Sequence, residues 1–129
     1  MEPSNKKVLF VDDFTPRFDD VKKIYPNSTL VTTAQDAIDA LSNNTYDLVF
    51  LDYNLKKYNT GENDPGNGMD VVKWIVFSDE VPKSTEFIVH SLHYKKPIKM
   101  TKKLRKAGYN ATRMIFGTWL MLQKVPKEN

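Results

Sequence analysis

The sequence contains no cysteine, which excludes disulfide bonds and thiolate chemistry. Long hydrophobic runs are also missing: LVFL and WLML are among the longest, far below the roughly 20 residues that span a bilayer. The first residues, MEPSNKK, lack the apolar core and the small-residue cleavage site of a signal peptide. We therefore expect a soluble, cytoplasmic protein that has no membrane partner.

Neither an internal repeat nor a domain linker interrupts the 129 residues, and a chain of this length is ordinarily one domain. We predict a single domain over residues 1–129. Residues 1–70 hold 7 Lys and Arg against 12 Asp and Glu, a net charge of −5, whereas residues 71–129 hold 12 against 4, a net charge of +8. This division suits a cation held by the first half and an anionic ligand held by the second, or simply solvated helix faces.

Short apolar runs of strand length alternate along the chain with segments of helical periodicity. Five such runs predict strands, at residues 7–11, 28–32, 46–52, 86–90 and 112–116. Helical patterns separate them, and the chain leaves room for only a short last helix of about two turns. Strands that are apolar throughout and alternate with helices predict an α/β fold, in which helices cover both faces of a parallel five-stranded sheet and make three layers.

Charged and polar residues directly follow the predicted strands. Asp12 and Asp13 end the first strand, Asp52 ends the third, and His90 with Ser91 ends the fourth. Ligands of such folds bind outside the carboxyl ends of the strands, where the strand order reverses. If the order is 2-1-3-4-5, strands 1 and 3 are neighbours and the three carboxylates converge. Carboxylates so close repel one another unless a hard cation neutralises them, and Mg²⁺ with oxygen ligands suits such a site.

These strand ends resemble those of the receiver domains of two-component response regulators, over residues 7–117. In that family a pair of acids follows strand 1, here Asp12 and Asp13, and a phosphoacceptor aspartate ends strand 3, here Asp52. The residue two positions later supplies a backbone carbonyl to Mg²⁺, here Asn54, and a Ser or Thr closes strand 4, here Ser91. The resemblance implies a flavodoxin-like (βα)5 receiver fold with Mg²⁺ at this site.

One element of the receiver pattern is missing. Receivers carry a Lys-Pro pair after strand 5, whose lysine pairs with the phosphoryl group, but the segment TRMIFGTWL has Gly117 and Thr118 there. The sequence is more similar to the cyclic-phosphate-processing receiver-like domains of small bacterial and phage proteins, through the segments VDD, LDYNL, GMDVVKW and IVHSLH. It departs from them at Tyr53-Asn54, where they usually carry a His-Asp pair. This resemblance implies binding or processing of a cyclic phosphate on a nucleotide or RNA end.

The strand ends and the resemblance together predict the site residues. The predicted catalytic residues are Asp52, His90 and Ser91. His90 acts as general acid or base near neutral pH, and Ser91 hydrogen-bonds a phosphoryl oxygen. The predicted ligands of Mg²⁺ are Asp12, Asp13, Asp52 and the backbone of Asn54.

The segment YKKPIKMTKKLRK is strongly basic and lies beside these residues. It could steer an anionic nucleotide or RNA towards the pocket, although a solvated helix face also explains it. The predicted phosphate-binding residues are Ser91, His93, Lys95 and Lys96. We expect no sequence-specific readout of DNA.

Two other interpretations remain open at this point. The protein could be a stand-alone receiver or pseudo-receiver, with Asp52 as phosphoacceptor, that signals through a protein partner. It could instead be a small adaptor or inhibitor that kept the fold without the site. Whether the protein is an enzyme is left open by the sequence alone.

Overall fold

A computed structural model of the chain describes residues 5–55, 66–91 and 95–124. Strand and helix alternate throughout. The strands are β1 (Val8–Val11), β2 (Ser28–Val31), β3 (Leu48–Leu51), β4 (Glu86–Val89) and β5 (Asn110–Arg113). The helices are α1 (Pro16–Ile24), α2 (Ala34–Asn43), α3 (Gly68–Ser78), α4 (Lys95–Lys106) and α5 (Phe116–Lys124). None of these helices combines the length and the hydrophobicity needed to cross a membrane.

The five strands form one parallel sheet in the order β2-β1-β3-β4-β5. This order, with helical crossovers between all successive strands, is that of the flavodoxin-like receiver fold. The predicted fold class and strand order are confirmed. β1 lies between β2 and β3, so that the strand order reverses at β1 and β3 and opens a crevice at their carboxyl ends.

The helices divide into two layers, one on each face of the sheet. Helices α1 and α5 cover one face, which we call the α1/α5 layer; its buried residues are Val8, Phe10, Val21, Tyr25, Leu48, Phe50, Ile88, Phe116 and Trp119. Helices α2, α3 and α4 cover the other face, over a larger apolar cluster that includes Leu9, Val11, Val49 and Leu51. Alternate residues of β1 and β3 therefore point into opposite layers, as the pleat of a strand requires.

Side-chain caps explain where two of the helices begin. The Thr33 hydroxyl accepts a hydrogen bond from the Asp36 backbone N–H at 3.0 Å and so begins α2. At α3, Asn67 and Asp70 exchange side-chain and backbone hydrogen bonds in a capping box. Such caps satisfy backbone N–H groups that the first helical turn leaves unpaired, and Asn67 also forms a bridge with Asn54, which follows β3.

The position of β5 differs from the prediction. The apolar run MIF suggested a strand at residues 112–116, but β5 ends at Arg113 and Phe116 begins α5. β5 is an edge strand in which only Ala111 is fully buried, and such a strand tolerates polar residues. Phe116 is apolar because it packs into the α1/α5 layer. The last helix has 9 residues, about two and a half turns, as short as expected.

Candidate functional site

Strands β1, β3 and β4 end at the same level of the sheet. Val11 pairs with Leu51, and Leu51 pairs with Val89. The next residue of each strand therefore stands in one row across the sheet edge, and this row consists of Asp12, Asp52 and His90. Each lies two positions after a residue of the α1/α5 layer, so the pleat directs all three side chains towards that layer.

Asp12 stands at the β1 end of this row and makes hydrogen bonds to three partners. Its side chain is fully buried. Its Oδ1 accepts a hydrogen bond from the backbone N–H of Phe14 at 2.8 Å, and its Oδ2 accepts one from Arg17 Nη1 at 3.0 Å and contacts His90 Nε2 at 2.8 Å. Burial alone would raise the pKa of Asp12, but the hydrogen bonds and the positive charge around the carboxylate outweigh it and lower the pKa.

His90 lies inside a cage of aromatic rings. Its ring stacks on Phe10 with centroids 5.1 Å apart, and the rings of Phe50 and Phe116 each stand 6.0 Å away. Only 1 % of its surface is exposed. While Nε2 contacts Asp12, Nδ1 is buried without a hydrogen-bond partner among the described residues. This environment holds the imidazole against Asp12 and leaves it little access to solvent.

Asp52 is the residue of the row whose ionised form is disfavoured by its surroundings. Burial, opposed by the charge of His90 and reinforced by that of Asp12, raises the pKa of Asp52 to about 6. Backbone N–H groups of Tyr53 and Asn54 donate to the carboxylate and partly offset the rise. A carboxylate held in such a site is stabilised by a nearby cation.

Asp12, Asp52 and His90 each offer one ligand atom, and these atoms lie within 4.8 Å of one another. A carboxylate has about four lone-pair sites, and three on Asp12 are used by the contacts described above, which leaves one on Oδ1. Asp52 keeps more of its capacity, since the hydrogen bonds found for it among the described residues come from the backbone N–H groups of Tyr53 and Asn54. The two carboxylates could thus hold a hard divalent cation together with water, whereas the imidazole is engaged by Asp12 and is the poorer ligand for such an ion.

Of the other two predicted metal ligands, Asp13 stands apart from this group, whereas the backbone N–H of Asn54 bonds the Asp52 carboxylate. Asp13 is half-exposed and does not belong to the cluster of ligand atoms. Asn54 is exposed and forms a single antiparallel bridge with Asn67. The expected third carboxylate is therefore replaced, in the immediate surroundings of Asp12, by the positive charge of Arg17.

The predicted phosphate-binding residues are divided between two places. Ser91 follows His90 and lines the cavity described next. Lys95 and Lys96 are exposed in the first turn of α4, in the opposite helical layer, where Lys96 lines a separate groove. His93 lies outside the described residues.

A cavity of about 340 Å³ opens beside the row, in the α1/α5 layer. Its lining residues are Arg17, His90, Ser91, Ile115, Phe116 and Gly117. Arg17 uses Nη1 for Asp12, while its guanidinium also lies over the Phe14 and Phe116 rings. The sequence analysis did not predict Arg17, although Pro is typical of a first helical position and Pro16, directly before Arg17, indicated that Arg17 stands in the first turn after β1, near the carboxyl edge.

Receivers carry a lysine after strand 5, and the residues at the end of β5 show what stands there in this protein. Val89 pairs with Arg113, so Met114 takes the next place in the row beside His90. Met114 donates its backbone N–H to Val89 and packs with the apolar residues of the α1/α5 layer. Gly117 and Thr118 lie in the first turn of α5. The positive charge on this side of the described site is that of Arg17, from α1 rather than from β5.

Gly68 packs closely against the backbone of Asp52. It donates its backbone N–H to Tyr53 at 2.8 Å, and a Cβ on it would collide with the backbone carbonyl of Asp52 and lie 2.8 Å from Met100 Cε. We predict that Gly68→Ala destabilises the protein by about 1–3 kcal/mol and displaces Asp52. Urea unfolding measures this. Gly117→Ala is the control, because its Cβ would meet nothing within 4 Å; equal losses in both variants would contradict the argument.

The sequence matches a known protein family. A family model described as the cyclic-phosphate processing receiver domain matches residues 7–106. The chain belongs to this family. The expected family is thereby confirmed, and the match covers four of the five strands of the domain. No curated protein matches the chain.

Solved structures of receiver domains share the fold of this family member. A CheY-like receiver domain from Methanospirillum hungatei has a TM-score of 0.64 at 18 % identity, over 92 % of this chain and 90 % of that one. Vibrio cholerae chemotaxis protein CheY4 has a TM-score of 0.63 at 18 % identity, over 94 % and 98 %. The receiver domain of Francisella response regulator 1452 has a TM-score of 0.62 at 17 % identity, over 92 % and 93 %. At such low identity the likeness establishes the fold alone.

Proposed function

We propose that this receiver domain binds the cyclic phosphate of a nucleotide or of an RNA end at the carboxyl edge of its sheet, with Mg²⁺ between Asp12 and Asp52. One observation carries the proposal: a cavity lined by Arg17, Ser91 and the buried His90 opens at the edge of the sheet where His90 contacts the buried carboxylate of Asp12 and Asp52 lies within the same cluster of ligand atoms. The family's description, cyclic-phosphate processing, supports the same class of ligand.

The cavity offers three kinds of partner to a phosphate. The guanidinium of Arg17 supplies a positive charge and N–H groups beyond the one given to Asp12. Ser91 supplies a hydroxyl. The first turn of α5, with Phe116 and Gly117 at the cavity, directs backbone N–H groups and the positive end of a helix dipole towards an anion. Ile115 and the ring of Phe116 give the sugar or base an apolar contact.

Mg²⁺ suits the two carboxylates, because it prefers oxygen ligands and keeps several waters. When bound, it would polarise the phosphate and lower the pKa of a bound water. The chain's own residues do the rest. Asp52 provides the charge that the ion needs, and His90 fixes the orientation of Asp12 through the 2.8 Å contact at Nε2. Because His90 is buried, we assign it this positioning role ahead of direct proton transfer.

A second function has one observation in its favour, namely that Asp52 ends β3 at the switch point of a receiver fold. In this alternative Asp52 accepts a phosphoryl group and the domain signals through a protein partner. Met114 rather than a lysine stands beside His90, which removes a charge partner from the phosphoryl group. Intact mass after exposure to a small phosphodonor with Mg²⁺ separates the two functions: a stable phosphoryl adduct on Asp52 favours signalling.

Calorimetric titration with a 2′,3′-cyclic nucleotide, with and without Mg²⁺, tests the proposed function. We expect Mg²⁺-dependent binding by the wild type. Arg17→Met should weaken it roughly 10-fold or more, since a charged hydrogen bond contributes about 1.5–3 kcal/mol. Asp52→Asn should abolish the Mg²⁺ dependence. Chromatography of the same mixture detects hydrolysis, in which water adds across one P–O ester bond and leaves a phosphomonoester and a free ribose hydroxyl.

Asp19→Asn is the matched control for these variants. Asp19 is an exposed carboxylate on the same helix as Arg17, and its loss should leave binding unchanged. Absence of both binding and turnover by the wild type would refute the proposed function. Retained Mg²⁺-dependent binding in both Arg17→Met and Asp52→Asn would refute the residue assignment.

A further inference from the structure

A second concave surface lies on the other side of the sheet, between α3 and α4. This groove has a volume of about 490 Å³. Its described lining is one methionine and six lysines: Met69, Lys73, Lys96, Lys99, Lys102, Lys103 and Lys106. None of the six lysines forms an ion pair with a carboxylate in the described part of the chain. We call this surface the lysine groove.

The lysines of α4 form a row along one face of the helix. Lys96, Lys99, Lys103 and Lys106 recur at intervals of three or four residues, which places them on neighbouring turns. From the first to the last the row extends about 15 Å, at 1.5 Å per residue. Lys73 faces them from α3, and all five side chains are exposed. Six like charges without counter-charges repel one another, so an anionic ligand is stabilised there.

We propose that the lysine groove binds the phosphodiester backbone of a single-stranded polynucleotide. Lysine is depleted in the cores of protein–protein interfaces, whereas clustered lysines on one face are the footprint of phosphate contacts. The described lining contains no Arg, Asn or Gln, the residues that read base edges, so the contact is independent of sequence. We take the occupant to be a single strand rather than a duplex, because the groove has a volume of only about 490 Å³.

The proposal does not depend on the proposed function. The groove lies in the layer of α2, α3 and α4, whereas the cavity beside Asp12 lies in the α1/α5 layer, so a change in one leaves the other intact. Lys96 stands in the first turn of α4, which follows β4, and the row therefore begins near the carboxyl edge. A strand in the groove would approach that edge with one end.

Fluorescence anisotropy with labelled oligouridine and oligothymidine of about 20 nucleotides tests the groove, in a salt series that starts near 0.05 M. We expect binding whose logarithmic salt slope is about −2 to −3, the value for three or four neutralised phosphates of a single strand. Lys99→Glu with Lys103→Glu should weaken binding at least about 10-fold, and Lys99→Gln with Lys103→Gln should weaken it less. Both residues are exposed, so these variants keep the fold, which circular dichroism verifies.

Lys22→Glu with Lys23→Glu is the matched control, because it removes the same charge from two exposed lysines of α1. It should weaken binding less than about 3-fold, as expected for a change of net charge alone. Preference for RNA over DNA, or equal affinity for both, supports a backbone contact. Absence of binding at low salt, an equal loss in the control, or competition by polyglutamate as strong as by RNA overturns the proposal. Cyclic-nucleotide binding by the Lys99 and Lys103 variants is measured in a separate titration. It tests the cavity alone, because neither lysine lines that cavity.

Discussion

Asp52→Asn is expected to stabilise the protein near neutral pH in the absence of divalent cations, by about 3 kcal/mol. The reason is the environment of the carboxylate, which is 5 % exposed and whose pKa is raised from 3.8 to about 6 by burial and by the charge of Asp12. Each unit of pKa shift corresponds to about 1.4 kcal/mol. The amide has nearly the same shape and carries no charge.

The sign of the effect depends on pH. Below about 4, Asp52 is protonated in both the folded and the unfolded protein, and its charge costs nothing. Between about 4 and 6 the unfolded chain loses its proton first, so the wild type loses stability as pH rises. Above about 6 the penalty is complete. Asp12 acts in the opposite direction, because its pKa is lowered, and it favours folding at pH values above the ordinary range of an aspartate.

Thermal unfolding at acidic and at neutral pH in a chelator measures this prediction. The advantage of Asp52→Asn should be on the order of 10 °C at neutral pH and should vanish near pH 4. Adding Mg²⁺ should raise the melting temperature of the wild type and leave that of Asp52→Asn nearly unchanged. Asp19→Asn, at an exposed carboxylate, is the control. A variant that is no more stable than the wild type at neutral pH would contradict the assignment.

The expected gain has a functional meaning. A buried carboxylate without a sufficient counter-charge lowers the stability of the metal-free protein, and natural proteins retain such groups where a ligand needs them. Asp52 belongs to the cluster of ligand atoms that also contains Asp12 and His90. Under the proposed function, the stability that Asp52→Asn recovers is what the wild type gives up to keep a negative charge for the cation.

Most of the architecture could be predicted from the sequence because it depends on local patterns. Apolar runs of four or five residues alternate with helical periodicities along the chain, and right-handed crossovers leave few ways to arrange them. The order of the strands then places Asp52 beside the end of β1 and His90 beside the end of β3. These three strand ends meet because their ladders end in register.

The rest of the site could not be predicted, because it depends on packing. Arg17 reaches Asp12 because α1 packs on the sheet, where Phe18 stacks on Phe10, and the sequence does not encode such a tertiary contact locally. The boundary of β5 was predicted wrongly, because the apolar residue Phe116 belongs to α5 and packs in the α1/α5 layer rather than in a strand. Asp12 and Asp13 looked equivalent as a pair, yet Asp12 shares the alternation of Val8 and Phe10 and is buried, while Asp13 is half-exposed.

That difference leads to the second large effect: Asp12→Ala should cost about 3–5 kcal/mol of folding stability, and Asp13→Ala less than about 0.5 kcal/mol. Asp12 is fully buried and bonds Arg17, His90 and the backbone of Phe14. Removing it leaves a buried imidazole and a guanidinium without their acceptor, and unpaired buried groups are costly. Asp13 belongs to no such network in the described site. Urea unfolding of the two variants measures the contrast.

A double variant separates the loss of the hydrogen-bond network from general damage to the core. His90 stands among Phe10, Phe50 and Phe116, a cage that suits a phenyl ring. Replacing both members of a buried polar pair by apolar groups is often close to neutral, whereas removing one member is not. Asp12→Ala combined with His90→Phe should therefore be more stable than Asp12→Ala alone by about 1–3 kcal/mol. If the double variant is instead less stable than Asp12→Ala, His90 does not depend on Asp12, and the positioning role assigned to this pair is wrong.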